Sequence, residues 1–268
     1  MPALLFLLSP RILFHMENNP FTRTERLFGK EAMERLASSC VAIFGLGGVG
    51  GNCCEALARS GVGHFVLVDD DAVSLSNINR QLIATFDTIG MNKVVVMEQR
   101  IHSINPQAII EKRKTFYLPE HGDEFPFESY DYCIDCIDTV TAKIDIILRC
   151  QKAGTPVISS MGAGNRLDPS QLRIGDLYST HMDPLAKIMR RELRKRGVSH
   201  LKVVYSEEKP TLPRRVILEE TASNKPRRSI PGSTSFVPPV AGILLAAEVI
   251  KDLTGITPNS DKKEAEAK

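Results

Sequence analysis

Short apolar segments alternate with longer amphipathic ones along most of this chain. The pattern predicts β-strands at 40–44, 64–68, 108–114, 130–136 and 156–160, of which the almost wholly apolar first one should be buried on both faces. The segments between them predict helices over 31–37, from the glycines at 45–51 to about Ser60, over 92–103 and over 141–152. Strands that alternate with helices are typical of a doubly wound sheet. The sequence therefore predicts an α/β, Rossmann-like fold with a mostly parallel sheet.

The pattern changes after Asp168-Pro169 and predicts a smaller C-terminal extension. Asp183 and Pro184 are suited to begin a helix, which we expect to reach Gly197. Residues 210–231 are basic and proline-rich and predict a mobile loop, whereas 235–253 predict an apolar helix in the core or at a dimer interface. We therefore divide the chain into an N-terminal extension (1–19), a core (20–175), a C-terminal part (176–256) and a disordered tail (257–268).

The first 15 residues are apolar but carry no secretion signal that we recognise. Pro10 and Arg11 interrupt the run, and it has neither a basic start nor a small-residue cleavage site. We interpret this segment as a mis-assigned start, with Met16 as the true initiator, and a peripheral membrane contact is the alternative. No apolar run in the sequence reaches the roughly 18 residues that a membrane span needs.

The composition, 43% hydrophobic and 25% charged over 268 residues, excludes a disordered or low-complexity protein. The net charge of +2 conceals a basic segment, since 13 Lys or Arg and 5 Asp or Glu lie between Lys187 and Arg228. Four of these cations recur at helical spacing on one predicted helix: Lys187, Arg190, Arg191 and Arg194. Such clusters bind phosphate backbones, so we expect a nucleic acid partner, with a solvated charged face as the alternative.

The six cysteines indicate buried thiols in a reducing, cytoplasmic setting. No cysteine follows Cys150, so the second half of the chain offers none to accept an activated carboxyl group. Cys133 and Cys136 form a C-x-x-C pair, but on a strand residues three apart point to opposite faces. We therefore expect both to be core thiols and expect no structural zinc.

A glycine-rich motif predicts a nucleotide site. Residues 45–50 match G-x-G-x-x-G between a predicted strand and a predicted helix, the context in which such loops bring the backbone close to phosphates. Asp69 ends the next strand about twenty residues later, where an acidic residue binds ribose hydroxyls. Taken alone, the motif favours NAD.

The following residues favour Mg-ATP instead. Asn77, Arg80 and Lys93 come soon after the ribose acid. A triphosphate with a leaving pyrophosphate needs such cations, whereas a dinucleotide does not, although ordinary solvated charges would show the same spacing. Asp138 follows the fourth strand, where ligands of parallel sheets bind, and its carboxylate can hold Mg²⁺ or cap the next helix.

In combination these motifs resemble the ubiquitin-activating, ThiF/MoeB-type adenylating superfamily over roughly residues 20–175 and the helix 235–253. The motifs that carry the resemblance are Gly45–Gly50, Asp69-x-Asp71, Ser76-Asn77-x-x-Arg80-Gln81, Lys93 and Asp135-x-x-Asp138. Within that superfamily the chain is similar to the dehydratases that act on a threonylcarbamoyl-modified adenosine of tRNA. Residues 26–29, 100–106 and 183–186 and the basic helix point to that group.

The resemblance implies that a carboxylate of the tRNA side chain is adenylated and then attacked within the same side chain, so that a ring closes and AMP leaves. It implies ATP and Mg²⁺ as cofactors, tRNA as substrate, a homodimer, and a cysteine-desulfurase or sulfur-acceptor system as a further partner. It also implies roles for individual residues. Gly45, Gly47, Gly48 and Gly50 approach the phosphates, and Asp69, supported by Asp71, binds the ribose. The triphosphate is held by Asn77, Arg80, Gln81 and Lys93; Asp138 binds Mg²⁺; and Arg23, or less readily Arg26, reaches into the partner's site.

Three other functions fit parts of the sequence. The first is an adenylating enzyme for the C-terminus of a ubiquitin-like or sulfur-carrier protein, against which the basic segment and the absence of a late cysteine count. The second is an NAD-dependent oxidoreductase, against which Arg80, Lys93 and Asp138 count. The third is a non-catalytic binding module, which would not need to keep every residue type of a phosphate site.

Overall fold

A seven-stranded sheet forms the centre of the computed structural model, which describes residues 19–212, 214 and 231–257. The strands are β1 Cys40–Phe44, β2 His64–Val68, β3 Ile109–Arg113, β4 Tyr132–Asp135, β5 Val157–Ser160, β6 Leu172–Asp176 and β7 Lys202–Ser206. Their order is β3-β2-β1-β4-β5-β7-β6, and every neighbouring pair is parallel except the antiparallel pair of β6 and β7. The prediction of a mostly parallel, doubly wound α/β sheet is confirmed.

The main helices lie between and after these strands. They are α1 Thr22–Ser38, α2 Gly50–Arg59, α3 Lys93–Ile104, α4 Val140–Ala153, α5 Pro184–Arg194 and α6 Val237–Thr254. The helix predicted over 31–37 is the second half of α1, because Gly29 has a φ of 75° and interrupts the helical backbone there. Gly154 and Gly255 adopt the left-handed conformation that ends α4 and α6, as glycine after a helix commonly does.

The two strands β6 and β7 are the elements that the apolar pattern did not predict. β7 lies beside β5 in the parallel direction, and β6 adds an antiparallel edge. Residues 175 and 176, where we divided the core from the C-terminal part, both lie within β6. The two parts of the sequence therefore share one sheet.

Helix α6 packs against α2 in the largest apolar cluster of the described residues, through side chains such as Leu245 and Val249. Gly242 lets the two helices approach closely, because a Cβ there would lie 2.2 Å from the Val49 carbonyl oxygen. The prediction that this apolar helix belongs to the core is confirmed. None of the helices in the described part of the chain is long and apolar enough to cross a membrane.

Three predictions concern segments outside the described residues. They are the N-terminal extension with Met16, most of the loop 210–231 together with its cations Arg215, Lys225, Arg227 and Arg228, and the tail from 258 onward.

Candidate nucleotide and substrate site

A cleft of about 620 Å³ opens at the carboxyl ends of the central strands. The loops that follow β1, β2, β4 and β5 all line it, as do residues at the beginning of α5 and α6. This is the edge at which open parallel sheets bind ligands, because the strand order reverses there. It gathers most of the residues that the sequence singled out.

The glycine loop after β1 has a geometry that side chains would obstruct. Gly45 has a φ of 90°, and a Cβ on it would lie 2.9 Å from the Cys136 carbonyl oxygen. A Cβ on Gly50 would lie 1.8 Å from the Gly45 carbonyl oxygen. Gly47 and Gly48 line the cleft, with Gly48 lying against Pro238 of α6. The loop therefore leaves room for a ligand to approach its backbone closely.

Asp69 lies at the end of β2 and is tied to the glycine loop. Its Oδ2 accepts a hydrogen bond from the Leu46 amide at 2.7 Å, and its Oδ1 accepts one from the Asp71 amide at 3.0 Å. Burial raises the pKa of Asp69, against the opposing effects of the nearby Lys93 charge and of these amides. The Lys93 ammonium is buried, and it lies 2.6 Å from Asp71 Oδ2 and 3.5 Å from Asp69 Oδ1. The predicted ribose acid and the predicted phosphate lysine are therefore adjacent.

The loop after β2 holds Asn77, Arg80 and Gln81, and all three line the cleft. The Asn77 side-chain oxygen accepts a hydrogen bond from the Ser74 amide at 3.1 Å and closes the short turn Leu75–Asn77. Arg80 Nη1 donates to the Ser76 carbonyl oxygen at 3.0 Å, and among the described residues its other two guanidinium nitrogens have no hydrogen-bond partner. The loop therefore holds Arg80 from one side and leaves donors for a ligand.

Asp138 follows β4 and lines the cleft with an exposed carboxylate. No other described side chain pairs with it, so its oxygens are open to a cation. A buried ion pair lies beneath it, since Lys143 Nζ is 2.9 Å from Asp135 Oδ2 and both side chains are fully buried. Lys143 also donates to the Ile137 carbonyl oxygen at 2.9 Å, and this bond fixes the backbone next to Asp138.

Sequence reasoning missed Arg166, which lies in the loop after β5. The residue is 2% exposed and lines the cleft. Its Nε and Nη1 atoms are buried without a hydrogen-bond partner in the described part of the chain. The available signal was its place shortly after the fifth predicted strand, at the ligand-binding edge of the sheet.

Helix α5 begins as predicted but arranges its cations differently. Asp183 is the N-cap and accepts hydrogen bonds from the Leu185 and Ala186 amides at 2.9 and 3.0 Å. Lys187, Arg191 and Arg194 are exposed. Arg190, expected on the same face, is instead drawn inward and donates to the Thr180 carbonyl oxygen at 2.7 Å. The reason is local, since Thr180 precedes the helix within reach of a long side chain.

Two further expectations meet the structure in part. Arg23 is exposed in the first turn of α1 and is not among the residues that line the cleft of its own chain. Cys133 is buried as predicted, but Cys136 is only partly buried and borders the cleft. Burial raises the pKa of both thiols.

Comparisons with known proteins give consistent findings. A model of the ThiF family matches residues 21–267. A tRNA threonylcarbamoyladenosine dehydratase from Bacillus subtilis is 42% identical over 238 residues, which cover 87% of this chain and 94% of that protein. Among solved structures, E. coli tRNA N6-threonylcarbamoyladenosine dehydratase, TcdA, in complex with ATP superposes with a TM-score of 0.79 at 31% identity, covering 88% of this chain and 94% of that one. The AMP complex of the same protein gives 0.78 at the same identity and coverage.

Proposed function

Because the chain belongs to the ThiF family, we propose that it is an ATP-dependent enzyme that adenylates and then cyclises the threonylcarbamoyl group of an adenosine in tRNA. The observation that carries the proposal is the 42% identity to the Bacillus subtilis dehydratase along 94% of that protein. The cleft supports it, because the glycine loop, Asp69, Arg80 and Lys93 meet there at one edge of the sheet.

The reaction has two steps. In the first, an oxygen of the substrate carboxylate attacks the α-phosphorus of ATP, and the bond to pyrophosphate breaks. In the second, a nitrogen of the same side chain attacks the acyl carbon and loses its proton, and AMP leaves with the electrons of the acyl–oxygen bond. The second step is intramolecular, so proximity supplies much of its rate enhancement. No protein nucleophile is needed, and the sequence has no cysteine after Cys150.

Each group of cleft residues has a role in this scheme. Asp69 accepts hydrogen bonds from the ribose hydroxyls, while the glycine loop presents backbone amides to the phosphates. Lys93 and Arg80 balance the charge that grows on the departing pyrophosphate. Asp71 holds Lys93 at 2.6 Å, so the ammonium is positioned before ATP binds. Asn77 and Gln81 complete the phosphate side of the site.

We assign the Mg²⁺ site to Asp138. Its carboxylate fits a hard cation, because it is exposed at the cleft and no described side chain pairs with it. Bound Mg²⁺ neutralises negative charge on phosphate oxygens. The buried pair of Asp135 and Lys143 fixes the backbone that leads to Asp138, so the protein sets where this carboxylate lies.

The proposal extends to assembly. We infer a homodimer in which Arg23 reaches the partner's cleft, since Arg23 is exposed and does not line its own cleft. We infer that tRNA docks on the exposed cations of α5, because Asp183, Pro184 and Leu185 at the beginning of the same helix line the cleft. A cysteine-desulfurase or sulfur-acceptor partner is proposed only from the family resemblance.

The deciding experiment incubates the protein with Mg-ATP and tRNA that carries threonylcarbamoyladenosine. Gentle digestion and mass spectrometry should show a nucleoside lighter by one water, with a matching amount of AMP. Asp138→Ala should abolish both signals. Asp87→Ala is the matched control, because Asp87 is an exposed carboxylate that does not line the cleft.

Two results would contradict the proposal. The first is an unchanged nucleoside with no AMP. The second is pyrophosphate exchange that depends on a small carrier protein and not on tRNA, which would favour adenylation of a protein C-terminus.

A further inference from the structure

Arg166 is a buried cation whose hydrogen-bonding capacity is largely unused. It is 2% exposed, and its Nε and Nη1 atoms have no partner among the residues that the structure describes. Its Nη2 atom makes a long contact, 3.5 Å, with the Met182 carbonyl oxygen. Burying a charged group without hydrogen bonds is costly, so such a group in a cleft wall points to a ligand that supplies them.

The acids near Arg166 are already engaged by backbone amides. Asp183 comes within 3.9 Å of Nη2, but its Oδ1 caps α5 and its Oδ2 accepts a hydrogen bond from Gly162 at 3.1 Å. Glu208 accepts hydrogen bonds from the Leu167 and Asp168 amides. Burial lowers the pKa of Arg166, and the charges of Asp183 and Glu208 oppose this effect. The two carboxylates offset the charge of Arg166, but its Nε and Nη1 donors still have no hydrogen-bond acceptor among the described residues.

The loop that carries Arg166 is held at both ends. Asn165 donates its amide to the Gly232 carbonyl oxygen at 2.8 Å, and its side-chain oxygen accepts from the Gly232 amide at 2.7 Å. Its own carbonyl oxygen accepts a hydrogen bond from Thr211 at 2.8 Å. Asp183 holds the beginning of the loop through Gly162, and Glu208 holds its end through the Leu167 and Asp168 amides. The backbone that carries Arg166 is therefore fixed before any ligand arrives, which reduces the entropy cost of binding.

The strand order places Arg166 on the side of the cleft away from the ribose acid. Asp69 follows β2, the glycine loop follows β1, Asp138 follows β4, and Arg166 follows β5. If the ribose of ATP binds Asp69 and its phosphates cross the glycine loop, the other reactant approaches the α-phosphate from the β5 side of the cleft. That reactant is also an anion, and a cation there offsets the repulsion between them.

We propose that Arg166 binds the carboxylate of the substrate, the group that attacks the α-phosphorus, and this assignment rests on the proposed function. A guanidinium matches a carboxylate in shape and can donate two hydrogen bonds to it, which fixes the direction of the attacking oxygen. The N-terminus of α5 is not a rival site, because Asp183 already caps it.

The test measures how much the substrate carboxylate contributes to the binding affinity, apart from the rest of the RNA. Two synthetic anticodon stem-loops carry the threonylcarbamoyl group as the free acid or as its methyl ester. Their binding is measured by fluorescence anisotropy in the presence of Mg²⁺ and α,β-methylene-ATP, which blocks adenylation. The wild-type protein should prefer the acid at least about tenfold, since hydrogen bonds to charged groups are worth that much. Arg166→Gln should bind both RNAs equally, at the affinity of the ester.

Two controls keep the result interpretable. Arg173→Gln removes an exposed arginine that pairs with Glu207, and it should leave the preference for the acid unchanged. Arg166→Lys keeps the charge with fewer donors and should retain part of the preference, which matters if the glutamine variant unfolds in a thermal scan.

Each remaining outcome has a definite meaning. The assignment is overturned if the wild-type protein binds acid and ester equally, or if Arg166→Gln still prefers the acid. In either case, AMP release from modified tRNA would still support the proposed function. A wild-type protein that binds neither RNA overturns the assignment, and it refutes the proposed function as well if modified tRNA also releases no AMP.

Discussion

Replacing Lys143 by methionine tests the buried ion pair beneath the cleft. The change keeps the volume of the side chain but leaves the Asp135 carboxylate fully buried without its counter-charge. Asp135 would retain hydrogen bonds from Ser159 at 2.6 Å and from the Ile137 amide at 3.2 Å. Breaking one side of a buried pair costs about 3–5 kcal/mol, so we expect the free energy of unfolding to fall by about that amount. For a domain stable by about 5–15 kcal/mol, this is a large fraction.

The double variant with Asp135→Asn provides the comparison. It removes both charges, so the remaining cost is the lost hydrogen bond to the Ile137 carbonyl oxygen, about 1 kcal/mol. Urea unfolding followed by circular dichroism gives both free energies of unfolding. The reasoning is refuted if Lys143→Met alone costs less than about 1 kcal/mol, or if the double variant is the less stable of the two.

Three other predictions follow from the site and its supports. Gly242→Ala brings a Cβ against the phosphate loop and should cost about 1–3 kcal/mol of stability and weaken ATP binding in calorimetry, whereas Gly175→Ala, with 3.5 Å of room, should do neither. Replacing the exposed cations of α5 (Lys187, Arg191 and Arg194) by alanine should lower the salt slope of tRNA binding by about 3 with little change in stability, and an unchanged slope would remove α5 from the tRNA surface. Burial raises the pKa of Asp69, so the contribution of Asp69 to the free energy of unfolding falls as pH rises from about 4 through that raised pKa; urea unfolding should therefore show the wild type losing stability relative to Asp69→Asn over this interval, and a constant difference between the two proteins would contradict this.

The sequence predicted the central strands well because their burial leaves a clear pattern. β1 and β2 lie where the apolar runs place them, since strands covered on both faces need apolar residues at every position. The sequence of β6 has no such apolar pattern, because this edge strand contains an arginine and a glycine, as a loop would. β7 joins β5 from more than forty residues away, and no local pattern encodes that pairing.

The candidate site likewise combines residues that the sequence predicts with residues that it does not. Glycine spacing and strand ends were sufficient to place Asp69 and Asp138 at one edge, because the carboxyl ends of parallel strands converge. The burial of Lys143 and Arg166 could not be predicted in that way. A charged residue is normally exposed, and only the surrounding packing decides otherwise. The inward turn of Arg190 likewise depends on a loop that ends before its helix begins.

The position of α6 has a consequence for how the protein is made. Its apolar face fills the space beside α2, and Gly48 of the phosphate loop lies against Pro238 at its beginning. A ribosome releases the glycine motif just over two hundred residues before it releases the end of this helix. Until then the face of α2 that α6 covers has no partner, and we expect chaperones to bind it during elongation. We expect chains that stop before residue 237 to be degraded without ever binding a nucleotide.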